Sequence, residues 1–285
     1  MRAALTVVLL VALPVGASAQ DTRLQWSDDW ARVHPVSYVA APTLGVGSFL
    51  FGLLYEPDDE ARVTGPFLFD AEVRTRLAAS SETGRETAAA LSDVLLGALV
   101  LWPFVDSIGV VGLGDENSDV FLQLSLIAVE AMAADYFLST AIKLLVHRER
   151  PHADRCSVAD RAAHPERCGT RGRTRSFYSG HASAAFNAAG VVCLSHGFLP
   201  LYDSPAADSF ACGVALAAAS IVGVLRVVAD RHHASDVLAG AVMGLATGLL
   251  MPWLLHYGLD PEPDEPGRRT DGIRVMHIPL AGGRF

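Results

Sequence analysis

Long apolar stretches separated by short polar segments constrain this sequence more than any other feature. Five of them are long enough to cross a bilayer as helices, at residues 88–111, 121–146, 181–202, 210–229 and 237–257. A helix needs about 20 mostly apolar residues to cross the hydrocarbon core. Residues 36–55 are a borderline sixth candidate, because Pro42, Gly45 and Gly47 interrupt them. The sequence therefore predicts an all-α fold, an integral membrane bundle of five to six spanning helices.

The chain divides into four predicted segments. At the amino terminus, a charge at Arg2, a short apolar run and the small residues Ala17-Ser18-Ala19 are typical of an export signal. An uncleaved anchor is the alternative. The predicted segments are a signal peptide at 1–19, an N-terminal segment with the borderline helix at 20–87, a membrane-embedded core at 88–259 and a Pro- and charge-rich tail at 260–285.

The charge balance excludes nucleic acid as a partner. The formal net charge is −9, and a broad basic surface would be needed to bind a phosphate backbone. Arginines are nevertheless concentrated in one stretch, from Arg148 to Arg175. This local excess of positive charge needs an explanation of its own.

The first motif reads KLLVHRERP, from Lys143 to Pro151. Lys143 and Arg150 are seven positions apart, so two helical turns would put both on one face of a helix. Cations at the end of a membrane helix are costly unless they meet an anion. The motif therefore suggests an anion site, and snorkelling of both side chains to the headgroups is the alternative.

The second motif is Tyr178-Ser179-Gly180-His181, at the start of an apolar stretch. Ser179 is a plausible N-cap, and the free amides at a helix start attract phosphate. Gly180 would let an anion approach the backbone, and His181 could donate a proton to a leaving oxygen. An ordinary capped helix with a surface histidine is the alternative.

The third motif contains Arg226, His232 and Asp236. Residues four apart are neighbours on a helix, and a carboxylate beside an imidazole fixes its tautomer and stabilises its positive charge. Such a pair makes His232 a candidate nucleophile, with a surface ion pair as the alternative. His233 lacks a carboxylate one turn away, so we interpret it as a bystander.

The order Lys-x6-Arg-Pro, Ser-Gly-His, Arg-x5-His-x3-Asp resembles the phosphatidic acid phosphatase type 2 superfamily, which includes lipid phosphatases, acid phosphatases and vanadium haloperoxidases. The resemblance covers residues 143–236, and in its membrane phosphatase members no metal or other cofactor is expected. It implies the following roles: Lys143, Arg150, Arg226, Ser179 and Gly180 bind phosphate, His181 protonates the leaving group, His232 is the nucleophile, and Asp236 orients it. Tyr178 and Leu225 depart from the usual proline and serine, which affects substrate preference more than the catalytic groups.

The resemblance and the apolar stretches together imply a metal-independent phosphatase that takes a lipid phosphate or pyrophosphate from the bilayer through a phosphohistidine intermediate. Four other hypotheses share these motifs. They are a soluble acid phosphatase, a vanadate-dependent haloperoxidase, a lipid phosphotransferase and a non-enzymatic protein that binds lipid phosphates. An intact pair of histidines argues against the last, since binding alone needs no nucleophile.

Several residues in the apolar stretches and the polar loop carry secondary expectations. Four carboxylates interrupt the apolar stretches, Asp93, Asp106, Glu130 and Asp135. We expect them to lie near helix ends or to pair internally, and a functional role is the alternative. Among the cysteines, Cys156 and Cys168 share one polar loop and are a candidate disulfide, whereas the other two, at 193 and 212, fall within apolar stretches.

The orientation in the membrane depends on the borderline stretch 36–55. With a cleaved signal and five spans, the motif loops face the periplasm, whereas a sixth span at 36–55 puts them in the cytoplasm. A bridge between Cys156 and Cys168 favours the oxidising side. We therefore expect a protein of the bacterial inner membrane whose motif loops face the periplasm.

Overall fold

The computed structural model describes residues 23–55 and 60–258. The predicted signal peptide and the predicted tail lie outside the described residues. The described residues form ten α-helices: α1 Ser37–Leu54, α2 Asp70–Leu77, α3 Glu82–Phe104, α4 Ser118–Val146, α5 Val158–Ala163, α6 Pro165–Cys168, α7 Thr170–Thr174, α8 Gly180–Phe198, α9 Pro205–Val228 and α10 Ala234–Leu245. A π-helix at Val105–Gly114 extends α3, a 3-10 helix covers Pro151–Arg155, and π-helices at Ala246–Leu250 and Trp253–Tyr257 follow α10.

The predicted all-α membrane bundle is confirmed. Five helical segments are long and apolar enough to cross a membrane: Ser37–Leu54, Glu82–Gly114, Ser118–Val146, Pro205–Val228 and Ala234–Tyr257. The sixth long helix, α8, is mostly buried and packs against α3, α4, α9 and α10. It is therefore the central helix of the bundle, with α3, α4, α9 and α10 around it, whereas α1 packs on α4.

A row of glycines lets α10 approach α8 very closely. A methyl group at Gly240 would lie 2.6 Å from the Ser179 carbonyl oxygen, and one at Gly244 would lie 2.9 Å from the Asn187 amide nitrogen. Small residues allow this kind of backbone contact between membrane helices. Because α8 and α10 both begin at the same end of the bundle, their close packing brings the second and third motifs together.

The helix α1 runs alongside α4 over most of the depth of the bundle. At its start, the Val33 amide donates to the Gln123 side chain at 2.8 Å. At its end, the Arg175 guanidinium donates to the carbonyls of Gly52 and Tyr55, at 2.9 and 3.0 Å. We call the end of the bundle formed by residues 147–179 and 229–233 the motif end, and the opposite end the far end. Residues 23–36 therefore lie at the far end.

Three of the four carboxylates in the apolar stretches pair inside the bundle, as expected. The pairs are Asp106 with His196 at 3.2 Å, Glu130 with His256 at 3.0 Å, and Asp135 with the Ser183 hydroxyl. A buried polar group is stable only when it has such partners. These three carboxylates therefore stabilise helix packing, whereas Asp93 has a different position, described below.

Two disulfides join parts of the bundle. Cys156 is bonded to Cys168 at the motif end, as predicted, and this bond ties the 3-10 helix region to α6. Cys193 is bonded to Cys212, which links α8 to α9. The second bond was not predicted, because cysteines in two apolar stretches give no indication in the sequence that they face each other.

Candidate active site

Lys143 and Arg150 approach each other by a route that differs from the predicted one. The helix α4 ends at Val146, where His147 adopts a left-handed backbone with φ 47°. Arg150 precedes a proline and is extended, with φ −82° and ψ 152°, because proline disfavours helical geometry in the residue before it. The prediction that both cations share one helix face is therefore wrong. Both nevertheless line one cavity of about 290 Å³ at the motif end.

The start of α8 is built around the Lys143 ammonium. Ser179 caps the helix, as predicted, by accepting a hydrogen bond from the Ala182 amide at 3.3 Å. Lys143 donates to the Ser139 hydroxyl at 2.6 Å and lies against Gly180, where any side-chain carbon would collide with it. Gly180 thus makes room for a cation at the helix start, in addition to the backbone access that the sequence suggested.

Arg226 and His181 meet at a residue that the sequence analysis interpreted as structural. The Arg226 guanidinium donates to Asp93 at 3.2 Å and to the Ser92 hydroxyl at 2.8 Å. His181 Nε2 lies 2.8 Å from the same Asp93 oxygen. The only sign of this role in the sequence is a carboxylate inside an apolar stretch. One carboxylate oxygen of Asp93 therefore contacts both groups.

His232 is held by a backbone carbonyl. Its Nδ1 lies 2.9 Å from the Ser176 carbonyl oxygen and 3.8 Å from an Asp236 carboxylate oxygen. His232 precedes α10, which starts at Ala234, so the pair is looser than two neighbours on one helix would be. A carbonyl oxygen only accepts hydrogen bonds. Nδ1 therefore carries the proton, and the lone pair is on Nε2.

Asp236 belongs to a buried ionic network that the sequence analysis missed. Arg148 is fully buried and donates to Asp236 at 2.6 Å and to Asp70 of α2 at 2.8 Å. Ser176 donates to the second Asp236 oxygen at 2.5 Å, and Ser235 donates to Asp70 through both its amide and its hydroxyl. The network fixes the start of α10 and the loop that carries Ser176, the two elements that hold His232.

Positive charge accumulates beside His232, and the nearby carboxylates only partly offset it. Burial, and then the neighbouring Arg226, lower the pKa of Arg150 to about 9. Burial and the nearby Arg150 and Arg226 also hold the pKa of His232 well below its usual range, against the opposing effect of Asp236. In the described part of the chain, the Nε atoms of Arg150 and Arg226 are buried without a hydrogen-bond partner. A bound anion would satisfy these donors and offset the charge.

The departure from the usual motif at Tyr178 leaves the start of α8 intact. Tyr178 is fully buried, and Ser179 next to it still caps α8 and donates its amide to the Asp236 carbonyl at 3.0 Å.

Among the described residues there is no cluster of three or more His, Cys, Asp or Glu side chains that could hold a metal ion.

Comparison with known families identifies the region that contains the site. The family model of the PAP2 superfamily matches residues 124–259, a range that includes all three motifs. The match covers slightly less than half of the chain, and it confirms the resemblance seen in the sequence over that range. Asp93 and Asp70 lie outside the matched range, although both contact residues within it.

One curated relative is named as a lipid A phosphatase. The chain is 37% identical over 79 residues to a protein named lipid A 1-phosphatase from Porphyromonas gingivalis. The match covers 28% of this chain and 16% of that protein, so the chain spans only a small part of its length. No solved structure matches the chain significantly.

Proposed function

We propose that this chain is a metal-independent phosphatase that hydrolyses a lipid phosphate or pyrophosphate through a phosphohistidine on His232. The observation that carries the proposal is the 2.9 Å contact between His232 Nδ1 and the Ser176 carbonyl. It leaves Nε2 as a free lone pair beside a cluster of arginines. A buried neutral imidazole next to a cationic anion site is the arrangement that nucleophilic phosphoryl transfer needs.

The reaction has two balanced steps. In the first, His232 Nε2 attacks phosphorus, the bond from phosphorus to the leaving oxygen breaks, and His181 gives its proton to that oxygen. In the second, water attacks the phosphohistidine while His181 takes a proton from the water, and the phosphorus–nitrogen bond breaks. The products are the dephosphorylated lipid and inorganic phosphate, and both histidines return to their starting states.

The cations stabilise the transition state. Lys143, Arg150 and Arg226, together with the amides at the start of α8, would contact the equatorial phosphoryl oxygens. Asp93 contacts Arg226 and His181, the two groups that the phosphate and its leaving oxygen would meet. Because the Asp93 side chain is 60% exposed, it is free to move aside when the substrate binds. Charge stabilisation of this kind is usually the largest contribution to such catalysis.

Asp236 acts on His232 mainly through its negative charge and its fixed position. At 3.8 Å it still stabilises the positive charge that develops on His232 during attack. Arg148 and Ser176 donate hydrogen bonds that fix its carboxylate. The carboxylate therefore does not displace the Ser176 carbonyl from His232 Nδ1.

A substrate delivered from the bilayer is supported by the membrane bundle. The candidate site lies at the ends of membrane helices, and a matched relative is named for its action on a membrane lipid. The distribution of charge also supports a lipid phosphate, since the headgroup would meet cations while the hydrocarbon part stays among apolar helices.

The test is phosphate release by the purified protein in detergent with excess chelator. The panel contains phosphatidate, phosphatidylglycerophosphate, a polyprenyl pyrophosphate and the soluble ester para-nitrophenyl phosphate. We expect release from at least one lipid that resists chelator and is lost in His232→Ala. Binding of lipid phosphate without release from any substrate would support a binding protein, and transfer of label to a second lipid would support a phosphotransferase.

We further propose that the motif end faces the periplasm of the inner membrane, because the Cys156–Cys168 bridge needs an oxidising compartment. Since α1 runs from the far end to the motif end, this orientation puts residues 23–36 in the cytoplasm. A periplasmic site and a cleaved signal at 1–19 are therefore incompatible if α1 crosses the membrane. Single cysteines at Val158 (motif end) and Asp203 (far end), labelled in intact cells by a membrane-impermeant maleimide, decide the orientation. Labelling at 203 alone would contradict the proposal.

A further inference from the structure

The cationic cavity at the motif end holds more positive charge than one phosphate needs. The described residues that line it include four cations and no carboxylate; the cations are Lys143, Arg150, Arg171 and Arg175. Lys143 and Arg150 belong to the phosphate cradle of the proposed function, whereas Arg171 and Arg175, which we call the second pair, have no role in it. A phosphate group carries a charge of only about −1.5 to −2 at pH 7. One such group, shared with Arg226, cannot offset all of the charge in this cavity.

Arg175 of the second pair has only neutral partners in the described part of the chain. Its two terminal nitrogens donate to the backbone carbonyls of Gly52 and Tyr55, at 2.9 and 3.0 Å. Its Nε is buried without a hydrogen-bond partner. Burial, and then the neighbouring Arg171, lower the pKa of Arg175. A cation that is partly buried beside a second cation is costly unless an anion compensates it.

Other arginines of the motif end do have carboxylate partners. The pairs are Arg148 with Asp70 and Asp236, Arg155 with Asp230, and Arg167 with Glu82. Carboxylates of the fold therefore neutralise positive charge around the cavity but not at Arg175. Such an exception is expected where a ligand supplies the anion.

The segment that carries the second pair is attached directly to the cradle. The Arg150 amide donates to the Arg173 carbonyl at 2.6 Å, and the Arg150 guanidinium donates to the Arg175 carbonyl at 3.3 Å. Lys143 and Arg150 line the same cavity of about 290 Å³ as the second pair. An anion beside Arg175 would therefore be a close neighbour of the phosphoryl group in the cradle.

We propose that Arg171 and Arg175 form a second anion subsite, beside the cradle, which binds a second phosphoryl group of the substrate. The hydroxyl-bearing side chains of Tyr136 and Thr140 line the same cavity and add neutral donors for its oxygens. The inference rests on the proposed function and narrows its substrate to lipids with two adjacent phosphoryl groups, as in a pyrophosphate. The phosphate of a separate lipid has the same chemistry, so the test distinguishes the two sources.

Two neutral replacements, Arg171→Gln and Arg175→Gln, test the subsite. The kcat/KM is measured with a polyprenyl pyrophosphate and with the monophosphate of the same chain, in neutral detergent, after gel filtration has confirmed folding. The ratio of the two values is the readout, because it cancels changes in the cradle and in contacts with the hydrocarbon chain. We expect each replacement to lower the ratio by about tenfold or more, as the loss of one charge-assisted hydrogen bond predicts.

Arg161→Gln is the matched control. Arg161 is an exposed arginine of α5 in the same loop between the motifs, outside the lining of the cavity. The replacement removes the same charge and should leave the ratio within about twofold of the wild-type value. Arg171→Gln decides alone if Arg175→Gln does not fold.

An equal loss with both substrates would overturn the proposal, because Arg175 would then only hold the end of α1. An unchanged ratio in every folded variant would overturn it as well. Added phosphatidylglycerol that raises monophosphate turnover in the wild type, but not in Arg175→Gln, would assign the subsite to a separate lipid. Failure of the proposed function has a different signature: the wild type itself would release no phosphate from either lipid.

Discussion

Replacing Arg148 with methionine should destabilise the protein most at neutral pH and progressively less as the pH approaches 4. The side chain of Arg148 is fully buried, as are the carboxylates of its partners Asp70 and Asp236. Methionine fills similar space without charge, so the change removes the guanidinium cation that lies between the two buried carboxylates. The ring of Phe67, 4.3 Å from the guanidinium carbon, would still pack against the new side chain.

The size of the effect follows from the loss of charge compensation. Breaking a buried ion pair by removing one partner costs about 3–5 kcal/mol. For a chain of this size each kcal/mol lowers the melting temperature by about 2–4 °C. The expected fall is therefore about 6–20 °C. The exposed pair between Arg76 and Glu72 provides a control, because Arg76→Met should cost less than about 1 kcal/mol.

The pH dependence has a definite sign. In the wild type, burial raises the pKa of Asp70, but hydrogen bonds from Ser235 and Arg148 outweigh it and leave this pKa below its usual value. The stability from Asp70 is thus present above the unfolded pKa of about 3.9 and is lost as the pH falls through the folded pKa. Without Arg148 burial should dominate and raise the pKa, so the variant loses stability as the pH rises.

Thermal unfolding in detergent between pH 4 and pH 8 measures the difference. We expect the gap between wild type and Arg148→Met to be widest near neutral pH and to narrow toward pH 4. A gap under about 2 °C at pH 7, or one that stays constant with pH, would refute the assignment of Arg148 as the counter-ion of both carboxylates.

The remaining predictions concern catalysis and packing. His181→Ala should lower kcat by about 10²-fold or more for a lipid phosphate and by much less for para-nitrophenyl phosphate, whose leaving group needs no acid; equal losses would argue against a general acid. Gly244→Leu should prevent α8 from packing on α10 and leave little folded protein by gel filtration, whereas Gly213→Leu should be tolerated. Because the pKa of His232 is held well below its usual value by burial and by Arg150, kcat/KM corrected for substrate ionisation should stay level as the pH falls through about 6.5. An acid limb centred at that value would contradict a neutral, buried nucleophile.

The local features of this protein could be predicted from the sequence. Four of the five predicted spans lie in α3, α4, α9 and α10, which are long and apolar enough to cross a membrane, because hydrophobic length is a direct signature of a membrane helix. The borderline stretch 36–55 meets the same criteria as α1, whereas the predicted span at 181–202 forms the buried helix α8. Ser179 was predicted as a helix cap because the requirement for a hydrogen-bond acceptor at a helix start is local.

The features that depend on tertiary contact could not be predicted. Asp70 and Asp236 are 166 positions apart and meet only because Arg148 lies between them. Asp93 carried no local sign that α3 would bring it to His181. The left-handed turn at His147 directs Arg150 away from the axis of α4. A residue other than glycine adopts that backbone only where the surrounding packing requires it, so the sequence alone could not predict the turn.

The contact between His232 and the Ser176 carbonyl illustrates a further limit. A motif predicts partners from side-chain types, and so the carboxylate of Asp236 was the expected partner of the imidazole. Backbone carbonyls are present at every residue and leave no trace in the sequence. The one that fixes the tautomer of His232 therefore became visible only in the structure.

The most direct test of the central claim is to trap the phosphoenzyme. The protein is mixed with a radiolabelled lipid phosphate or aryl phosphate, quenched in alkali within milliseconds and separated from substrate, and the labelled peptide is sequenced. We predict a label that is stable in alkali and labile in acid, located on His232, absent from His232→Ala and retained in the neighbouring variant His233→Ala. Phosphate release at wild-type rates by His232→Ala, or a label on any other residue, would contradict the account.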